Sequence, residues 1–289
     1  MIVGPTASGK SSLAIKLAKK YNGEIISADS RQVYKGLKIG SGVVTKKEMA
    51  GIPHHLIGIA NPKRVFTVSD YKKLARKELD KIWKRSKLPI IVGGTGLYIR
   101  AAVDGLVIPE VKPNPKLREN LEKKTTVRLS QMLEKIDLRR WKDIDKNNPR
   151  RLIRAIEIAT VLGKVPKQKM NPIKADILFL GIKKDRDILE LAIRKRVGKM
   201  IKNGLIAETA KLRRDGVSDK RIGEFGFEYS SAFDLINGKI ISKSELLNRM
   251  TKFTLDYAKR QMTWFRRDNR IIWVRNKQEA MRKMKEFMK

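Results

Sequence analysis

Residues 4–11 read Gly4-Pro5-Thr6-Ala7-Ser8-Gly9-Lys10-Ser11, a complete G-x-x-x-x-G-K-[ST] loop. The apolar run Met1-Ile2-Val3 leads into it, and SSLAIKLAKKY follows with Leu13/Leu17 and Ala14/Ala18 at helical spacing. A strand that feeds such a loop into a helix is built to hold phosphate. The glycines let backbone N–H groups turn inward onto phosphate oxygens, at the positive end of the helix. Gly4 through Ser11 therefore form a candidate diphosphate or nucleotide cradle. Lys10 is expected to reach the terminal phosphate and Ser11 to ligate Mg²⁺. Only three residues precede Gly4, so either the first strand is short or an N-terminal extension is missing.

Outward from the loop the chain alternates. EIISAD (24–29) reads as a strand ending in a carboxylate, and FTVSDYKKLARKELDKIWKR (66–85) as a helix capped by Ser69 or Asp70. LPIIVGG (88–94) suits a buried parallel strand, and TGLYIRAAVDG continues as helix. This βαβαβ rhythm predicts an α/β fold with a P-loop NTPase-like parallel-sheet core. The composition changes near Pro109, where 107–115 carries three prolines. Residues 116–163 read helical throughout, and ADILFLGI (175–182) returns to strand. Residues 186–214 and 244–265 read as long basic helices, RIIWVR (270–275) as a last strand. The order predicts an all-helical domain, 111–172, inserted into an α/β core made of 1–110 and 173–289. Trp83 and Trp273 are expected in the core.

The chain has 289 residues, with 66 Lys+Arg against 30 Asp+Glu, a formal charge of +36. At 41% hydrophobic residues it can still bury a core, so this is no disordered basic tail. The absence of cysteine excludes disulfides, thiolate metal sites and thiol redox chemistry. Two histidines, adjacent at His54-His55, rarely point at one ion. No apolar run approaches the roughly 20 residues that span a bilayer. There is no room for a signal peptide ahead of the loop, so a cytoplasmic protein is expected. Some lysines are simply solvated, but an excess spread along the whole chain predicts a polyanionic partner.

A phosphate loop alone does not make an ATPase. NTP hydrolases end a later strand in an acid that organises Mg²⁺ and water, whereas here 90–92 runs into Gly93-Gly94-Thr95-Gly96. The strand-end carboxylate is Asp29, in Ser27-Ala28-Asp29-Ser30-Arg31-Gln32. That pattern suits a pocket holding a diphosphate while one carboxylate handles a proton; a cap, or a residue behind the Mg²⁺, is the structural alternative for Asp29.

GPTASGKS, ISADSRQVYKGLKIG, GIPHHLI, VGGTGLY, RRLIRAIEI and YAKRQMTWFRR, six blocks from Gly4 to about Trp273, resemble the tRNA dimethylallyltransferase (tRNA isopentenyltransferase) family. The resemblance implies transfer of a dimethylallyl group from dimethylallyl diphosphate to the exocyclic N6 amine of the adenosine 3′ of the anticodon. It implies a monomer, with Mg²⁺ and tRNA as partners and no membrane. It makes Asp29 the general base, with Thr95 beside the reacting base. Asp29, Ser30, Arg31, Gln32 and Thr95 then contact tRNA, as do Arg118, Arg150, Arg151 and Arg154 on the helical insertion. Trp264 and Phe265 are expected to pack their helix while Arg266 and Arg267 face RNA.

Two blocks depart from the family pattern. I-G-T-A-K-P becomes Ile39-Gly40-Ser41-Gly42-Val43-Val44, without the Lys, and I-G-Y-[KR]-[EQ] becomes Phe225-Gly226-Phe227-Glu228-Tyr229, without the basic residue. Arg221 and Lys220 are candidates to supply the second charge. Two other functions stay open: an adenylate isopentenyltransferase, which shares the loop and the Asp-Ser block, and a phosphate-loop protein that binds RNA without prenylating it. The basic charge and the helical insertion favour a macromolecular acceptor, since a free nucleotide needs neither.

Overall fold

A computed structural model describes residues 1–289. Six strands form one parallel sheet: β1 (Ile2–Val3), β2 (Gly23–Ser27), β3 (His54–His55), β4 (Leu88–Val92), β5 (Phe179–Ile182) and β6 (Ile271–Val274). Their order is β3-β2-β4-β1-β5-β6, with Ile2 opposite Val92 on one side and Leu180 on the other. The strands that flank the centre are near-continuous apolar runs because both faces of the sheet are covered.

Alternation along the strands sorts those faces. Ile2, Ile25 and Ile90 point to one side, where Leu13, Ala14, Leu17 and Ala18 of the helix Lys10–Lys20 cover them. Val3, Ile26 and Ile91 point to the other, against Tyr71, Ala75, Leu79 and Ile82 of the helix Val68–Lys84. The cap of that second helix is Thr67 rather than Ser69 or Asp70. Asp70 N–H donates to Thr67 Oγ1 (3.2 Å) and Thr67 N–H donates back to Asp70 Oδ2 (2.8 Å), a reciprocal box that satisfies two end amides. Trp83 lies on the last turn and is 39% exposed, so it is not core. Trp273 packs half-buried against the second face. Gly204, at φ +100°, splits the basic stretch into helices Arg186–Lys202 and Leu205–Arg214. The helical turn Gly96–Ile99 widens into a π turn, Arg100–Asp104, that stops at Gly105.

β3 has two residues, and its place beside β2 depends on a charged clasp. Glu24 of β2 is buried, yet Arg85 Nη2 (2.7 Å), His55 Nε2 (2.7 Å) and Lys87 Nζ (3.1 Å) all converge on it. The other His55 ring nitrogen lies 3.3 Å from Glu78. Burial pushes the Glu24 carboxyl up, but its three cationic or imidazole partners outweigh burial and hold it at about 2.

The chain divides into two compact units, Met1–Gly105 with Pro172–Lys289, and Leu106–Asn171. The second unit comprises helices Pro115–Glu122, Thr126–Ile136, Leu138–Asp143 and Pro149–Leu162. It has its own core of Leu121, Leu129, Leu133, Leu152 and Ile156. Asn114 and Asn148 cap the helices that begin with Pro115 and Pro149. An Asn acceptor followed by a residue that lacks an N–H is a strong start signal.

Candidate active site

β1 delivers the phosphate loop to the carboxyl edge of the sheet, between β4 and β5. Gly4 is required there: its φ is +136°, and a Cβ would sit 2.8 Å from the Ile182 carbonyl oxygen. Gly9, at φ +93°, precedes the helix Lys10–Lys20 with no side-chain cap. The first-turn amides are thereby left for an anion. Thr6 N–H donates to Gln261 Oε1 (2.8 Å), and Gln261 Nε2 donates to the Gly94 carbonyl (3.0 Å), so one buried side chain ties the phosphate loop to the glycine loop after β4. The Ser8 hydroxyl is buried with no partner, an orphan donor within the loop. Lys10 Nζ curls back to donate to the Pro5 carbonyl (2.6 Å). Burial first, then the neighbouring Arg196, lowers the Lys10 ammonium to about 7, with Asp29 opposing them. Lys10, Asp29 and Arg196 thus share one electrostatic site.

Sequence reasoning does not single out Arg196. It lies on the helix Arg186–Lys202, and its Nη2 is 3.5 Å from the Ser41 carbonyl. A Cβ at Gly42 would fall on that guanidinium. The segment that lacks the family's Lys therefore has a cation beside it, supplied from more than 150 residues away in sequence. No local pattern announces such a replacement.

Asp29 follows β2, where Ala28 N–H bonds the Val92 carbonyl (2.8 Å) and Thr95 N–H bonds the Ala28 carbonyl (3.1 Å). A Cβ at Gly93 would overlap Ala28, which explains the glycine. Asp29 Oδ1 accepts from Arg31 N–H (2.9 Å) and Gln32 N–H (3.3 Å), which fixes the carboxylate and leaves Oδ2 unclaimed. Thr95 Oγ1 accepts from Ser30 N–H (3.1 Å), so Asp29, Ser30 and Thr95 form one cluster at the ends of β2 and β4. Burial, reinforced by Asp29, pushes the nearby Tyr257 phenol up to about 12. Gln32 turns inward: its Oε1 accepts from Ser27 Oγ (3.0 Å), and its Nε2 donates to the Ser41 (3.3 Å) and Gly42 (3.4 Å) carbonyls. Its side chain props the 41–42 turn.

Arg221 lies against the 225–229 block, 4.7 Å from the Phe225 ring centre, with its donors turned to other segments. Its guanidinium donates to the Pro62 (3.0 Å) and Arg64 (3.0 Å) carbonyls and to Glu224 (2.7 Å). Lys220 is exposed. A second cation against this block is Arg31, ion-paired with Glu228 and lying over the Phe227 ring. Trp264 is half-buried, Phe265 buried, and Arg266 and Arg267 exposed.

In the helical unit the four arginines separate into two pairs. Arg118 grips buried Glu157 with Nε (2.8 Å) and Nη2 (2.7 Å), and Arg154 donates to Glu157 (3.4 Å) and to the Val111 carbonyl (2.9 Å). Arg150 and Arg151 are exposed at the helix start; Arg151 has exposed Asp145 as its carboxylate partner, 3.5 Å away.

The IPP transferase family profile matches residues 32–268. The chain belongs to the IPP transferase family. It is 42% identical over 99% of its length to a tRNA dimethylallyltransferase of Carboxydothermus hydrogenoformans, 94% of which is covered. A Bacillus halodurans tRNA isopentenylpyrophosphate transferase structure superimposes with a TM-score of 0.73 at 34% identity, covering 99% of this chain and 94% of that one. A eukaryotic dimethylallyltransferase solved acting on tRNA gives 0.76 at 29% identity, over 91% of this chain and 68% of that one. As an IPP transferase family member the chain is a transferase, and the cluster of loop, carboxylate and two cations is where its chemistry is sought.

Proposed function

We propose that this protein transfers the dimethylallyl group of dimethylallyl diphosphate to the N6 amine of the adenosine immediately 3′ of the anticodon in tRNA. The supporting observation is the Asp29 carboxylate, held by two backbone N–H groups with one oxygen open, in the same electrostatic site as Lys10. An aryl amine is a weak nucleophile, so its proton must be taken as the new bond forms. The amine nitrogen attacks the allylic carbon, and the carbon–oxygen bond breaks with its electron pair leaving on diphosphate. The amine proton passes to Asp29 Oδ2. Lys10, Arg196 and the open loop amides hold the diphosphate as its charge grows. Thr95 keeps the Asp29–Ser30 turn in place beside the acceptor base.

Mg²⁺ fits the donor set of the phosphate loop. No three His, Cys, Asp or Glu side chains converge to hold an ion; the Ser11 hydroxyl, at the motif position that ligates Mg²⁺ in phosphate loops, would hold it with the bound diphosphate. When bound it would neutralise part of the leaving-group charge. Arg118, Arg150, Arg151 and Arg154 are the proposed backbone contacts of the helical unit. No helix is long and apolar enough to cross a membrane, and we infer a cytoplasmic monomer.

The deciding experiment offers labelled dimethylallyl diphosphate and Mg²⁺ with unmodified tRNA or with AMP. Label enters tRNA, and Asp29→Asn lowers turnover by about 10²- to 10⁴-fold with the KM for tRNA little changed. Label in AMP alone would make this an adenylate prenyltransferase. Tight RNA binding with no transfer to either would leave an RNA-binding phosphate-loop protein.

A further inference from the structure

Residues 37–43 form neither helix nor strand, so their backbone groups need partners elsewhere. The turn supplies two itself: Gly42 N–H donates to the Ile39 carbonyl (3.0 Å) and Val43 N–H to the Lys38 carbonyl (3.0 Å). The amides of Lys38, Ile39 and Gly40 all converge on one side chain from far along the chain. Glu208, in the first turn of the helix Leu205–Arg214, accepts from Lys38 N–H at Oε2 (3.0 Å) and from Gly40 N–H at Oε1 (3.0 Å). Ile39 N–H reaches both oxygens, at 3.0 and 2.9 Å. Successive N–H groups closing on one carboxylate make a nest of the kind that binds anions; here the protein supplies its own anion. The hydroxyl of buried Tyr229 also donates to Oε1 (2.8 Å), and a Cβ at Gly40 would lie 2.6 Å from the Tyr229 ring. The two blocks that depart from the family pattern therefore meet at Glu208.

This turn carries the seat of Arg196. Arg196 Nη2 lies 3.5 Å from the Ser41 carbonyl, and a Cβ at Gly42 would lie 1.9 Å from the same nitrogen. Gln32 Nε2 braces the Ser41 and Gly42 carbonyls as well. From this seat the half-buried Arg196 acts on Lys10 and on buried Glu228.

We propose that Glu208, together with Tyr229, is a positioning residue for the diphosphate side, fixing the 38–42 turn so that Arg196 faces the leaving group. The inference rests on the diphosphate reading of the site. An arginine reaching off a helix has several rotamers of similar energy, and its affinity for an anion falls with the share of time spent in the wrong ones. A carbonyl on a fixed turn, with no Cβ in the way, selects one of them. Glu208 itself touches no substrate, since both its oxygens are taken by the nest.

The test is titration calorimetry of the full chain with Mg²⁺ and inorganic diphosphate, with the KM for tRNA and the thermal midpoint as controls. Arg196→Met weakens diphosphate about 10- to 150-fold, the range of a charge-assisted hydrogen bond. Glu208→Gln aims a donor at the nest amides and weakens diphosphate about tenfold; Tyr229→Phe keeps the ring and weakens it about threefold. Both leave the KM for tRNA within about twofold, and in the Arg196→Met background each adds less than about twofold, because the effect runs through Arg196. After burial, Arg196 is what lowers the Lys10 ammonium. Displacing it raises that value, so fewer protons are taken up on binding at pH 8 in Glu208→Gln than in wild type.

Equal weakening with and without Arg196 would overturn the inference, as would wild-type affinity in both single variants or unchanged proton uptake in Glu208→Gln. A joint loss of diphosphate and tRNA affinity with the thermal midpoint would mark a merely structural clasp and overturn it too. If Glu208→Gln does not fold, Tyr229→Phe in the two backgrounds completes the same cycle. If wild type binds no diphosphate, the proposed function fails with the inference; if wild type binds it and the variants match, only the inference fails.

Discussion

The ammonium of Lys10 sits at about 7 in the ligand-free protein, lowered by burial and then by Arg196. A bound diphosphate favours the charged form, so binding must pull a proton onto Lys10 wherever the pH exceeds about 7. Below that pH the lysine is already charged and no proton moves. Between about 7 and the higher value reached in the complex, the dissociation constant for diphosphate rises tenfold per pH unit, about 1.4 kcal/mol. Diphosphate itself titrates in this range, so Lys10→Gln provides the reference. At pH 6 the ratio of mutant to wild-type dissociation constant should be roughly 10 to 150, the worth of a charge-assisted hydrogen bond at about 1.5–3 kcal/mol. At pH 8 the ratio should be about tenfold smaller. Titration calorimetry with Mg²⁺ and inorganic diphosphate, in two buffers of different ionisation enthalpy, counts the protons: about one taken up at pH 8 and almost none at pH 6. A ratio that stays flat from pH 6 to 9, with no uptake, would refute the placement of Lys10 between Arg196 and the buried loop.

Three further outcomes are expected. Glu24, at about 2 in the folded state, stabilises above its unfolded value and loses that contribution as the pH falls toward 2. Glu24→Gln should therefore cost about 2 kcal/mol at pH 7, allowing for the exposed Arg85, and much less near pH 2, read from urea midpoints at both. Gln261→Ala strands Thr6 N–H and the Gly94 carbonyl; a loss of about 1–3 kcal/mol together with weaker diphosphate binding is expected, and an unchanged urea midpoint would contradict the bridge. Arg150→Ala with Arg151→Ala should reduce the salt slope of tRNA binding by about 0.7 to 0.9 for each phosphate no longer neutralised, whereas Arg118→Ala should first destabilise the helical unit by removing the two-pronged partner of buried Glu157 and leaving it the longer Arg154 contact.

The parallel core can be read from the sequence because each of its signals is local. A glycine-rich loop between a strand and a helix, and apolar runs such as 88–92, declare themselves within a dozen residues. Asp29 and Thr95 can be named for the same reason, each standing at a strand end. What the pattern does not show depends on partners far apart in the chain. His54–His55 is too short to show a period, and it pairs with β2 through Glu24 and the sheet edge. Arg196 and Gln261 lie on helices whose composition is generically basic or amphipathic, and their importance appears only when residues 6, 42 and 94 come alongside. The cap at Thr67 stands two and three positions ahead of Ser69 and Asp70, and Asp70 takes part as the partner in the box rather than as the cap itself. Trp83 follows the helical stripe but falls on the final turn, where the sheet no longer covers it.

The order of the strands has a bearing on how the protein is made. β1 shares one rung with β4 and two with β5, and β5 lies beyond the helical unit in sequence. During translation the helices of 106–171 leave the ribosome with a self-contained core and can condense on their own. The phosphate loop cannot: the strand that carries it has only part of its support until residues 179–182 emerge. Gln261, which ties the loop to Gly94, arrives later still. The nascent chain therefore displays a folded, basic helical module before it owns a finished phosphate loop, and a product truncated ahead of residue 179 would carry the one without the other.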